Sequence, residues 1–294
     1  MSQRQALQTF RISASVYRYQ PVKCPGDAEV TQLLCNLSEK YPTWGFWMMY
    51  HKLRNMGRPE NHKRVYRIYK AIGLSKKRRS RKRIAKRIKQ PLLQPLQPNL
   101  QWSMDFMRDS LLQYQPFRAF NVIDDYNREA LNITIAKSIT SQRVIAELEQ
   151  LIQWRGKPNS IRVDNGPEFI AQALQDWCAS DERNITLTFI QPGKPSQNGY
   201  IERFNRTYRE DVLDRWLFVD LSDAQTESNR WIWFYNNERP HAALNYQTPR
   251  AFLLKYGKIH HPQIPEQDFP TFQQDFDGDY DEYQELSLFL NATK

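Results

Sequence analysis

Between residues 90 and 100 the apolar period of the chain changes. Upstream, apolar residues recur at helical spacing: Val30, Leu33, Leu34 and Leu37, then Val65, Ile68, Tyr69 and Ile72. Downstream, Trp102, Met104 and Phe106 alternate with Ser103, Asp105 and Met107, the two-residue period of a strand. Ala119–Asp124 and Ala130–Ala136 read as two further strands, joined by the turn-like Asp125-Tyr126-Asn127-Arg128. A helix over 141–154, a strand over Ser160–Val163, a helix over Ala171–Ala179 and a strand over Ile185–Phe189 follow. Three strands and then alternating helix and strand predict an α/β domain around a mixed sheet. The chain therefore reads as a small all-helical unit followed by a larger α/β unit.

Charge and proline mark the boundaries. Residues 76–89, KKRRSRKRIAKRIK, hold ten Lys or Arg, and QPLLQPLQPN at 90–99 has three prolines. Together they read as a basic, extended linker. The expected layout is an N-terminal arm (1–26), a helical domain (27–75), the linker (76–99), the α/β core (100–257) and an acidic, flexible tail (258–294). In the helical domain, residues 27–73 read as helical: a first helix carries the Val30–Leu37 pattern, and others are expected around Phe46–Asn55 and Asn61–Ile72, with Gly73 stopping the last. The free face of that last helix carries His62, Lys63, Arg64, Arg67 and Lys70. This suits a helix-turn-helix-like DNA-binding unit, although a plain three-helix bundle with a solvated basic face has the same pattern. The formal net charge of +10 favours a polyanionic partner. No segment is apolar enough to span a membrane, and no signal-peptide core is present. The three cysteines, Cys24, Cys35 and Cys178, are widely spaced and read as reduced structural thiols in an intracellular protein.

Three carboxylates fall at telling places in this basic chain. Asp105 lies in the first strand, Asp164 ends the fourth in RVDNGPEF, and Glu202 begins the helix after the fifth. Strand ends and adjoining helix starts converge at one edge of an α/β sheet. Acids gathered there need a compensating cation. Magnesium is held by one or two carboxylates plus phosphate oxygens, and a pair of such ions supports phosphoryl transfer. Glu202, Asn205, Arg206 and Arg209 are spaced to share one helix face, with Ile201, Phe204 and Tyr208 beside it as core anchors. One acid would hold a cation and the arginines the DNA. Spacing alone leaves Asp124, Asp125 and Glu168 as competing candidates.

WSMDF (102–106), RVDNGPEF (162–169), FIQPGKPSQNGYIERFNRTYRED (189–211) and YNNERPHAALNYQTP (235–249) together resemble the second reading frame of IS-three family insertion-sequence transposases. PTWGFWMMYHKLRNMG and NHKRVYRIYKAIGL resemble that family's helix-turn-helix-like domain, and the likeness spans about residues 5–256. The resemblance implies a ribonuclease H-like catalytic core with an Asp-Asp-Glu triad at Asp105, Asp164 and Glu202, which hold Mg²⁺ or Mn²⁺ as two ions. It implies strand cleavage and strand transfer at element ends. Double-stranded DNA of the ends and the target would be the partner, bound by a homo-oligomer. It also implies cooperation with, or fusion to, an upstream reading-frame product, in the bacterial cytoplasm at the nucleoid. Expected DNA contacts are Lys63, Arg64, Arg67, Lys76, Lys77, Arg78, Arg79, Lys194, Asn198, Asn205, Arg206 and Arg209, the last at the family's basic position seven residues after the Glu. Between Asp164 and Glu202 stand 37 residues, two more than is usual in the family. The surplus is assigned to the polar stretch Ser180–Arg183, where a surface loop tolerates insertion.

Overall fold

The computed structural model describes residues 2–18, 26–75, 92–191 and 195–257. The segment expected as an arm carries two short helices, α1 (Gln3–Thr9) and α2 (Ala14–Tyr17), with no buried residue. Ser2 and Gln5 form a reciprocal capping box on α1, and Ser13 caps α2. Local capping, not packing, starts both helices.

The helical domain follows the expected pattern with α3 (Asp27–Lys40), α4 (Phe46–Asn55) and α5 (His62–Ala71). Val30, Leu34, Trp44, Met49, Leu53, Val65 and Ile68 form its core, each large aliphatic side chain contributing about 1.5–3 kcal/mol by leaving water. Asn61 caps α5 by accepting from Lys63 N. Gly57 and Gly73, at φ of 82° and 77°, end α4 and α5 in the left-handed conformation that glycine adopts without cost.

The α/β core has β1 (Gln101–Ser110), β2 (Pro116–Asp124), β3 (Ala130–Ala136), β4 (Ser160–Val163) and β5 (Thr186–Phe189) in the order β3-β2-β1-β4-β5. β1, β2 and β3 pair antiparallel, and β4 and β5 add in parallel on the other side of β1. β2 begins three residues earlier than its apolar run suggested. α6 (Ser141–Arg155) crosses from β3 to β4, and α7 (Pro167–Ile170) with α8 (Gln172–Ala179) crosses from β4 to β5. The chain then forms α9 (Gly199–Tyr208), a π-turn (Arg209–Leu213), α10 (Leu221–Asn237) and α11 (Pro249–Tyr256). This is the ribonuclease H-like mixed sheet that the sequence motifs imply.

Both faces of the sheet are covered. Trp102, Met104, Phe120 and Val122 face α6 and α8. Met107, Phe117, Ala119 and Ile123 face α9 and α10, meeting Ile201, Phe204, Tyr208 and Trp231. The alternation along β1 thus divides two cores from each other rather than core from solvent, as in a sheet with helices on both faces. The helical domain packs on the same unit: Tyr41 stacks on Phe234 at 4.9 Å, and Thr43 donates to Asp211 Oδ1 at 2.8 Å. The free thiols of Cys35 and Cys178 are half-buried and buried; Cys24 lies outside the described residues. No helix among the described residues is long and apolar enough to cross a membrane.

Candidate active site

β1 delivers Asp105 to the middle of the sheet. Its parallel register with β4 pairs Trp102 with Ile161 and Ser103 with Arg162. Continued two residues, the same register sets Asp105 beside Asp164, where β4 has ended. Side chains alternate across a strand, so Asp105 shares the face of Ser103 and Met107, the face that α9 covers. Asn205, on α9, donates its Nδ2 to Asp105 Oδ2 at 2.7 Å, and Phe106 N donates to Asp105 Oδ1 at 2.8 Å. Glu202 lies one turn earlier on α9, exposed. Asp164 accepts from Gly166 N at 3.0 Å, and a Cβ at position 166 would lie 3.0 Å from Asp164 Oδ1. Glycine keeps that corner open.

The electrostatics separate these three acids from their competitors. Burial raises the Asp105 carboxyl from 3.8 to about 6; the Phe106 N–H opposes the rise, and the negative charges of Asp164 and Glu202 add to it. Burial also raises Asp124 and Asp125 to about 6, but guanidinium groups beside them pull the other way, with the Glu129 charge adding to the rise at Asp124. Asp124 pairs with Arg155, Asp125 with Arg162 at 3.1 Å, and Glu168 with Arg118. Asp124 also accepts from the backbone N–H groups of Asn99 and Tyr126, and Asp125 from Ser103 Oγ. These competitors are therefore satisfied structural acids. Asp105, Asp164 and Glu202 have no ion-pair partner among the described residues, and their fields add.

Such a set of oxygen donors fits a hard divalent cation. The carboxylates stand apart as they are: among the described residues no three His, Cys, Asp or Glu side chains converge tightly enough to enclose an ion. A magnesium ion does not require that, because waters and substrate phosphates complete its octahedron.

The expected DNA contacts divide. Lys63 and Arg206 are exposed. Arg64 and Arg67 both bind the Asp27 carboxylate, at 2.8 and 2.6 Å, so two of the four Lys and Arg side chains on α5 already have an internal partner. Arg209 donates to Asp109 Oδ2 at 3.0 Å and to the Arg108 carbonyl at 2.8 Å. It sits in the π-turn and not in line on α9. Asn205, expected on the DNA-facing side of α9, is instead buried and donates to Asp105. Asn198, at the end of the short 3₁₀ turn Pro195–Asn198, is buried at 3% exposure. Lys76, Lys77, Arg78, Arg79 and Lys194 lie outside the described residues. Sequence reasoning missed Asn121, which donates to Asn205 Oδ1 at 2.7 Å. It also missed Tyr66, half exposed on the basic face of α5.

Two models described as integrase core domain match residues 95–195 and 183–249, and an HTH-like domain model matches 34–83. A 31.7 kDa protein of insertion element IS407 from Burkholderia multivorans is 33% identical over 256 residues, covering 87% of this chain and 92% of its own length. A 39.2 kDa protein of insertion element IS476 from Xanthomonas euvesicatoria is 33% identical over 260 residues, covering 87% and 73%. Among solved structures, the HTLV-2 integrase catalytic core domain in complex with magnesium aligns with 53% of this chain and 97% of its own (TM-score 0.41, 22% identity).

Proposed function

The chain belongs to the insertion-element transposases that carry an integrase catalytic core, and on that footing we propose that Asp105, Asp164 and Glu202 are its catalytic acids. The enzyme class is that of DDE-type transposases and integrases, metal-dependent polynucleotidyl transferases that act on DNA. The observation carrying the residue assignment is the contrast in neighbours. Each competing acid has an arginine, whereas these three have no ion-pair partner among the described residues, and burial raises Asp105 with the charges of the other two adding to the rise.

Asp105 and Asp164, with Glu202 across from them on α9, would hold Mg²⁺, with Mn²⁺ as a substitute and two ions at work. Such an ion would supply polarisation of the phosphodiester and activation of the attacking oxygen. The protein's own part is positional. Gly166 leaves room at the Asp164 corner, and Asn205 and Phe106 N hold Asp105 in one orientation. Exposed Arg206 gives the DNA backbone a charged contact beside the acids. Water as nucleophile gives a nick, and a freed 3′-hydroxyl gives strand transfer. The same proposal includes a homo-oligomer on the element ends and joint action with an upstream reading-frame product at the bacterial nucleoid.

The test is strand joining by the purified chain on DNA bearing the element's own flanks. Asp164→Asn and Glu202→Gln are expected to abolish joining while DNA affinity stays within about twofold. Joining retained in either variant removes that acid from the site.

A further inference from the structure

One polar residue interrupts an apolar face. Along β2, Phe117, Ala119 and Ile123 pack into the core beneath α9 and α10. Asn121 shares their face, has no accessible surface, and stands directly opposite Asp105 in the β1–β2 register.

Its hydrogen bonding has a forced polarity. An ionised carboxylate only accepts, so Asn205 must turn its NH₂ group to Asp105 Oδ2, at 2.7 Å. The Asn205 carbonyl then faces β2 and needs a donor there. Asn121 Nδ2 supplies it at 2.7 Å. Asn121 Oδ1 is left buried without a partner among the described residues. A leucine would remove that orphaned oxygen but leave the Asn205 carbonyl without its donor. A buried polar atom left unmatched beside a functional group marks a place where the fold gives up stability for a specific orientation.

We propose that Asn121 is a positioning residue for the strand-transfer site. It fixes the amide of Asn205, and through that amide it holds the Asp105 carboxylate with one protein donor on each oxygen and further lone pairs left for a divalent cation. Asn121 touches neither metal nor DNA. The proposal rests on the reading of Asp105 as an ion-holding acid.

The test is Mn²⁺ binding to the full chain, followed by water-proton relaxation, which needs no turnover. Asn121→Leu is expected to keep a cooperative thermal transition and wild-type DNA affinity while weakening Mn²⁺ binding about 10-fold or more, the range seen when a ligand loses its supporting partner. The smaller Asn121→Val repeats the measurement without added bulk. In an Asn205→Ala background, Asn121→Leu should cost nothing further, which a merely structural role would not produce. Wild-type Mn²⁺ affinity in both variants, or a loss that adds in full to that of Asn205→Ala, overturns the proposal. Asp105→Asn separates the two readings. If it removes Mn²⁺ binding while Asn121→Leu keeps it, only this inference fails. If Asp105→Asn leaves binding unchanged, the assignment of the acids fails, and this inference with it.

Discussion

At Asp105 a carboxylate is partly withdrawn from water near two others, and in the metal-free protein that arrangement costs stability. Its folded-state value is raised from 3.8 to about 6, so the folded protein holds a proton that the unfolded chain has released. The cost is absent below the unfolded value and complete above about pH 6. Asp105→Asn should therefore leave stability unchanged near pH 3.5 in chelator. It should stabilise the fold by about 1–2 kcal/mol at pH 7.5, a shift of about two pKa units discounted for the half-open position. Urea titrations at the two pH values check the sign. Saturating magnesium should reverse it at pH 7.5, because only wild type gains by binding. An advantage of the variant that shrinks with rising pH would contradict the charge assignment.

At the scale of elements, most of what places the site was legible. β1, β4 and α9 followed from apolar period and turn chemistry, and with them came the positions of Asp105, Asp164 and Glu202. The illegible parts depend on partners distant in sequence. Asn205 reads as solvent-facing on a helical wheel because nothing local reveals that β1 lies beneath it. Arg64 and Arg67 read as free cations because Asp27 precedes them by 37 and 40 residues. α10 gave little amphipathic signal, since small Ala224 and Ser228 share its buried face with Trp231 and Tyr235. Asn121 had no signal at all, being one amide in an apolar strand. The junction of α6 with the sheet offers a test at this scale. Gly156 ends α6 at φ 89°, ψ 163°, with Asn99 Nδ2 only 3.2 Å from where a Cβ would lie. Gly156→Ala should cost about 2 kcal/mol by denaturant titration, the strain of a region that glycine alone occupies readily.

Across the whole molecule, the helical domain is fastened to the catalytic core by a polar hub under an aromatic stack. Asp211 accepts from Thr43 Oγ1, from Trp231 Nε1 at 3.3 Å and from Arg239 at 2.7 Å. Lys52 pairs with Glu238, and Trp44 stacks with Tyr41 above Phe234. Asp211→Ala leaves a buried guanidinium unpaired and should destabilise the chain by about 3 kcal/mol in thermal or urea unfolding. Between these domains runs the basic segment, whose effect should be electrostatic and independent of sequence. Replacing Lys76, Lys77, Arg78 and Arg79 with Gln should flatten the slope of log affinity against log salt by up to about 0.9 per lost phosphate contact; an unchanged slope would put the segment off the DNA. We assign metal-dependent DNA strand transfer to three acids that have no ion-pair partner among the described residues. The most direct test of that assignment is the count of excised-circle junctions in bacterial cells, from a donor with the element's own ends and the upstream frame supplied. Wild type and Glu168→Gln, whose acid belongs to Arg118, should both give junctions, and Glu202→Gln should give none. Junctions that persist in Glu202→Gln would contradict the account.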